Sequence, residues 1–221
     1  MRSISALAVA IAVLAVPSLE AGQRKSQPKP AAKPAPARPG ARPAPTRTEA
    51  AQVTCPESLG TGVRTGATYC FVLAGRDPAE GVRITIPPRT GDATLRFDLH
   101  NRHTYSEEQM RAGRGFASYT AVIGVLANDG ELLDRAAIQT EFRAAQDLHE
   151  RISGGAGPGG VKAVAPVGIE PIVLTIPAGV DEVSLLGEVL DATTAAGREV
   201  AAPGRPVALV SNVTIEYRPR K

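Results

Sequence analysis

T-L-R-F-D-L-H-N-R-H-T-Y-S-E-E, residues 94 to 108, begins as a strand and ends in residues that a strand alone does not explain. Successive side chains of a strand point to opposite sides. Leu95, Phe97 and Leu99 are therefore expected to face a core, with Arg96, Asp98 and His100 on the other side. Such alternation signals a sheet with one buried face. The same stretch carries two of the three histidines of the chain, His100 and His103, so a site is sought here first.

The surrounding sequence repeats the strand signal. Tyr69 to Ala74, Val82 to Ile86, Ala93 to Leu99, Tyr119 to Ala127 and Ile172 to Ile176 are short runs rich in β-branched or aromatic residues, separated by Gly, Pro, Asn and Asp. Near the C-terminus Leu209, Val213, Ile215 and Tyr217 alternate with Val210, Asn212, Thr214, Glu216 and Arg218, which predicts a strand buried on one side. Asn128-Asp129-Gly130 supplies residues that tolerate positive φ, so the strands on either side of it are expected to pair as an antiparallel hairpin. Two stretches argue for helix. Glu141 to Ile152 places Phe142, Ala145, Leu148 and Ile152 at helical spacing, and a turn or two is expected from Ser106, with Glu107 and Glu108 in the first turn. The fold class that follows is all-β: a two-sheet antiparallel β-sandwich, jelly-roll-like, with one or two short helices in its connections.

An internal echo supports it. Val82 to Phe97, V-R-I-T-I-P-P-R-T-G-D-A-T-L-R-F, and Ile172 to Glu188 share the order strand, Ile-Pro, Gly-containing turn, strand. Thr85-Ile86-Pro87 matches Thr175-Ile176-Pro177, and each proline, lacking an N–H, is expected at the rim of a sheet. Over this small part of the chain the units resemble those of galactose-binding-like and jelly-roll modules of exported bacterial proteins. The resemblance implies a sandwich and makes a carbohydrate-binding module one functional alternative.

Composition divides the chain into three parts. Residues 1–21 read as a cleaved export signal: Arg2, an apolar run from Ile4 to Val16, then the small residues Ser18 and Ala21. The run is shorter than the roughly 20 apolar residues of a membrane-spanning helix. Residues 22–50 are rich in Pro, Ala, Lys and Arg and cannot bury a core, so they read as a disordered basic tether with a reach of about 90 Å if extended. Residues 51–221 form the β-sandwich domain. Seven basic residues against Glu49 concentrate positive charge in the tether, so a chain of net charge +3 leaves its domain acidic. Nucleic acid, which needs Lys and Arg on a folded face, is not an expected partner. The tether itself could touch an acidic envelope surface.

The two cysteines, Cys55 and Cys70, are expected to form a disulfide in the oxidising compartment that export implies, closing a loop worth about 3 kcal/mol. A periplasmic or secreted location is the expectation for the whole.

Catalytic motifs are absent. Ser118 lacks the Gly-x-Ser-x-Gly setting of a nucleophile elbow, the glycine-rich run from Gly154 lacks a Gly-Lys-Ser/Thr ending, and the adjacent acids Glu107 and Glu108 have no defined separation. The enzymatic alternative is a divalent-metal-dependent hydrolase in which His100, His103 and His149 hold a metal with Glu107, Glu108 or Glu150 as oxygen donor. It requires His100 and His103 to share a side, which a continuing strand forbids and a turn after Leu99 would allow. No other cofactor is implied. Sugar recognition by stacking finds no Trp here, leaving Tyr105 and Tyr119 as the available rings. Asp77 with Glu80, or Asn128 with Asp129, are sparse donors for calcium. A charged row of Arg96, Asp98, His100 and Arg102, with Tyr105 beside it, is the candidate binding surface, and it doubles as an ordinary ion-pair ladder. The expected function is an exported, envelope-tethered, non-catalytic binding or scaffolding module with a protein or envelope-polymer partner.

Overall fold

A computed structural model of the protein describes residues 45–102, 104–115, 117–156, 161–165 and 167–220. The segment expected to direct export, the basic stretch as far as residue 44, His103 and residues 157–160 lie outside the described residues, as does the side chain of Tyr105. Antiparallel strands build two sheets. Nine strands among the described residues make the first: β1 (Arg47–Ala50), β3 (Ser58–Gly62), β4 (Thr68–Leu73), β6 (Ala93–His100), β7 (Thr104–Ser106), β10 (Glu150–Ala156), β11 (Val161–Ala165), β12 (Glu170–Ile176) and β15 (Pro206–Tyr217). They run in the order β12-β6-β15-β4-β3-β10-β11-β7, with β1 alongside the end of β15. The second sheet takes β2 (Gln52–Thr54), β5 (Val82–Thr85), β8 (Ala117–Ala127), β9 (Leu132–Phe142), β13 (Glu182–Thr194) and β14 (Gly197–Val200), in the order β2-β5-β13-β8-β9 with β14 against β13.

The core between the sheets follows the alternation read from the sequence. Leu95, Phe97 and Leu99 of β6 are buried, as are Ile84 of β5, Ile123 and Val125 of β8, and Val183 and Leu185 of β13. Each such side chain contributes about 1.5–3 kcal/mol on leaving water. Asn128-Asp129-Gly130 makes the hairpin between β8 and β9. Gly130 takes φ 85°, where a Cβ would be strained, and the Asp129 carboxylate accepts from Glu131 N at 3.0 Å. The short helix α1 (Glu107–Arg111) starts where expected, with the Ser106 hydroxyl accepting from Gln109 N at 3.3 Å.

The two Ile-Pro corners cross-pair. The first leads from β5 in the second sheet to β6 in the first, and the second from β12 in the first sheet to β13 in the second. β5 then pairs with β13, Val82 opposite Leu185, and β6 pairs with β12, Ala93 opposite Ile176. Each corner thus supplies one strand to each sheet beside a strand of the other corner.

Three expectations change. Glu141 to Ile152 is not a helix: Phe142 ends β9, Ile152 belongs to β10, and only a 3-10 turn, Ala145–Asp147, lies between. The Asp147 carboxylate accepts from Arg143 N at 2.7 Å and Ala144 N at 2.8 Å, which satisfies donors a helix would otherwise use. Of the apolar residues at helical spacing, Phe142 and Ile152 belong to two strands, Ala145 to the turn, and Leu148 follows it. Next, β15 is not buried on one side throughout. Val207 to Ser211 are all buried, and the single-sided pattern begins only after a bulge between Ser211 and Thr214, where Asn212 takes φ 52°. Finally, Arg47–Ala50, assigned to the tether by composition, is a strand. Its backbone pairs with β15, Arg47 opposite Tyr217, and the Tyr217 hydroxyl donates to Glu49 at 2.9 Å. A ladder of main-chain bonds needs no apolar side chains, so composition does not reveal it.

Cys55 and Cys70 form the expected disulfide, with Cα atoms 5.3 Å apart, joining the segment after β2 to the core strand β4. No helix among the described residues is long and apolar enough to cross a membrane.

Candidate functional site

The polar row on β6 exists, and its burial rises along the strand. Arg96 is exposed and pairs with Glu216 at 3.6 Å, a contact worth at most about 1 kcal/mol at this exposure. Asp98 accepts from Asn212 Nδ2 at 2.7 Å, which holds the positive-φ residue of the bulge. His100 is fully buried, and its Nε2 lies 2.9 Å from the Ser211 hydroxyl. Beyond the strand Arg102 forms an ion pair with Glu199. The row therefore presents exposed charge only at its Arg96 end. Tyr105 lies in β7 opposite Lys162.

His100 is buried because the outer face of the first sheet is covered at this end. Tyr69, Ile152, Ala163 and Ala165 form a small apolar cluster separate from the main core. The His100 ring contacts Tyr69, centroids 5.2 Å apart, and stacks on His149 at 5.6 Å. Two of the three histidines thus come together, although they are far apart in sequence; His103 lies outside the described residues. His149 titrates below its ordinary 6.5 because burial disfavours the cation and Arg64 lies nearby. The neutral ring is consistent with stacking on a second imidazole.

Glu150, one of the proposed oxygen donors, has a different role. Burial raises its pKa, but Arg64 N at 3.1 Å, Thr65 N at 3.0 Å and Arg151 N at 3.2 Å all donate to it, with the Thr65 hydroxyl, and the balance holds it below the usual carboxylate range. It organises the turn between β3 and β4. The Arg64 guanidinium adds a bond to the His149 carbonyl at 2.8 Å. Glu107 and Glu108 are on the exposed first turn of α1. Among the described residues no group of three or more His, Cys, Asp or Glu side chains is placed to hold a metal ion.

The Ser211–His100 contact has the length of a nucleophile–base pair. Ser211 and His100 are 1% and 0% exposed, so no substrate reaches the hydroxyl in this arrangement. The geometry is that of a buried polar pair whose groups satisfy each other. Tyr119, considered above as a ring for sugar stacking, is in the main core at 5% exposure, and burial pushes its phenol pKa up despite the nearby Arg102.

An open groove of about 880 Å³ lies elsewhere, where the β4–β5 connection and the loop before β15 meet the second sheet. Leu126 and Leu132 supply apolar surface above the buried Leu186, and Arg76, Asp77 and Glu80 supply charge from the connection. On the sheet side Arg135 and Glu188 pair at 2.6 Å. Its base depends on Gly187. Ala74 forms a parallel bridge with Gly187, Gly75 N donates to the Gly187 carbonyl at 3.3 Å, and a Cβ there would overlap the Val207 side chain. The volume lies within the range of ligand sites, roughly 300–1,000 Å³. Sequence reading did not find this groove because its walls come from four separate stretches. One signal was available: a glycine inside a strand, which marks a close approach of another backbone.

No protein-family model matches this chain, and no curated protein matches it. Among solved structures, the infectious bursal disease virus VP2 subviral particle is 12% identical with a TM-score of 0.25, covering 77% of this chain and 32% of that one. The T13 particle of the same virus is 10% identical with a TM-score of 0.24, covering 77% of this chain and 30% of that one. This chain therefore spans about a third of the length of those chains. Likeness at this level carries no argument about what the protein does.

Proposed function

We propose that this chain is an exported, envelope-tethered, non-catalytic β-sandwich module that binds or scaffolds a protein or envelope-polymer partner, with the groove at Leu126 and Leu132 as its contact surface. The observation that carries the reading is the contrast between the two candidate sites. His100 and Ser211 are sealed from solvent, whereas the groove is open, with Leu126 and Leu132 on its sheet side and charge of both signs around them. Binding surfaces combine an apolar patch for affinity with a few polar groups for orientation. The Cys55–Cys70 disulfide supports an oxidising compartment. The apolar run from Ile4 to Val16 supports export, and the basic Pro- and Ala-rich stretch supports a spacer that holds the domain away from its attachment.

The test is co-sedimentation of the full chain with purified envelope polymer, and in parallel its capture of partners from an envelope protein extract, each compared with a Leu132→Asp variant. Leu132 is partly exposed, so the variant leaves the core intact. The bound fraction is expected to fall by about tenfold, the cost of placing a carboxylate in an apolar contact. Equal binding by the two proteins would remove the groove from consideration.

A further inference from the structure

β9 differs from every other strand that ends a sheet. The two sheets end in β12 and β7, and in β2 and β9. An edge strand offers unpaired N–H and C=O groups, and proteins blunt such edges with short strands or proline. β2 and β7 have three residues each, β1 and β14, which also pair with one strand only, have four each, and β12 carries Pro171. β9 has eleven residues and no proline or glycine, and among the described strands only β8 pairs with it.

Its side chains select one self-pairing. An antiparallel register must keep like faces together, so a shift by one residue is excluded. With Ile138 opposite Ile138, Arg135 lies opposite Glu141 at both ends of the pairing, and Ala137 lies opposite Gln139. Arg135 and Glu141 are already on the solvent face, with side chains 58% and 54% exposed. Centring on Ala137 gives neither charge an opposite partner. Centring on Gln139 sets Arg135 opposite Arg143, and centring on Ala136 sets Arg135 opposite Ala137 and carries Glu141 past the bulge at Leu133, so neither meets an opposite charge. Like charges directly opposite destabilise a pairing, and opposite charges support it.

We propose that β9 is a homotypic edge: two copies of this chain join antiparallel through it, with Ile138 on the two-fold axis and Arg135 paired with the partner's Glu141. The second sheets of the two copies become one continuous sheet, and the contact is isologous, so the assembly closes at two. This inference stands on the edge strand and does not depend on the groove being a binding surface.

The full chain is examined by sedimentation equilibrium across a range of concentrations, with cooperative thermal unfolding as the check that each variant folds. The expected result is a monomer–dimer equilibrium. Arg135→Glu should weaken it by about tenfold, because two opposite-charge pairs become like-charge pairs at once, and Arg135→Glu with Glu141→Arg should restore it. Register is read by disulfide trapping. A mixture of Ala137→Cys and Gln139→Cys proteins should cross-link, and neither variant should cross-link with itself. A chain that stays monomeric at every concentration overturns the proposal. So does a dimer indifferent to Arg135→Glu, or Ala137→Cys cross-linking with itself.

Discussion

The Arg89 guanidinium donates to the carbonyl oxygens of Pro177 at 2.5 Å and Val180 at 3.0 Å, joining the two Ile-Pro corners of the sandwich. Arg89 belongs to the first corner, and both acceptors belong to the second. Asp92 of the first corner also accepts from Ala178 N at 3.0 Å, and Ile86 N donates to the Asp181 carbonyl at 2.8 Å. The corners that cross-pair their strands are therefore also bonded at their turns.

Removing that guanidinium should cost stability out of proportion to its place in a loop. Arg89 is 5% exposed, so Arg89→Ala leaves the Pro177 and Val180 carbonyls without their donor and opens space at the rim. Bonds from a charged donor contribute about 1.5–3 kcal/mol each. The expected loss is about 3 kcal/mol in urea unfolding, with the slope of the transition unchanged. Arg89→Lys should recover less than half, because a single ammonium does not span both acceptors as the guanidinium fork does.

Gly187 makes a second prediction, about packing. A Cβ at this position would overlap Val207, a fully buried core residue. Gly187→Ala should destabilise the fold by about 1–3 kcal/mol through overpacking, and Gly187→Ala with Val207→Ala should recover part of it. Chemical denaturation of the two variants checks this. If Gly187→Ala is as stable as the parent, the close approach at the base of the groove is not rigid.

Acid should act on the cover over His100. His149 has its folded pKa held below 6.5, so the unfolded chain binds more protons between the folded and unfolded values. Stability therefore rises with pH there, is fully present above about 6.5, and falls as pH drops towards the folded value. Glu150 is also depressed, so its contribution is present above its ordinary 4.5 and is lost below that, as pH falls through the folded value. Two successive losses are expected on acidification. His149→Gln should remove the upper one and Glu150→Gln the lower one, read from thermal midpoints between pH 7 and pH 3.

Much of the architecture was legible in the chain because it depends on neighbours in sequence. Alternation placed Leu95, Phe97 and Leu99 in the core, Asn128-Asp129-Gly130 made the hairpin, Ser106 capped α1, and two cysteines formed the disulfide. Each depends on period, turn chemistry or a single pairing choice. The site was legible only in part. His100 shares a strand face with Arg96 and Asp98 as alternation requires, but its burial is decided by Tyr69, Ile152, Ala163 and Ala165, none of them its neighbours in sequence. The same cause accounts for the two-sided burial at the start of β15. Phe142 and Ile152 matched a helical period by chance, since spacing does not say that two residues belong to different strands.

The sequence by itself determined which residues could be strand, turn or cap and that an apolar stripe would be buried, because those properties follow from side-chain period and backbone preference over a few residues. Tertiary structure alone decided which corner strand paired with which, that the ring of His149 would stack on the buried His100, that Gly187 would admit a second backbone, and that β9 would end its sheet as the long edge strand among the described residues. Those outcomes are set by long-range packing, where the partner of a residue is fixed by the competition of all apolar surfaces for burial and leaves no local pattern in the chain.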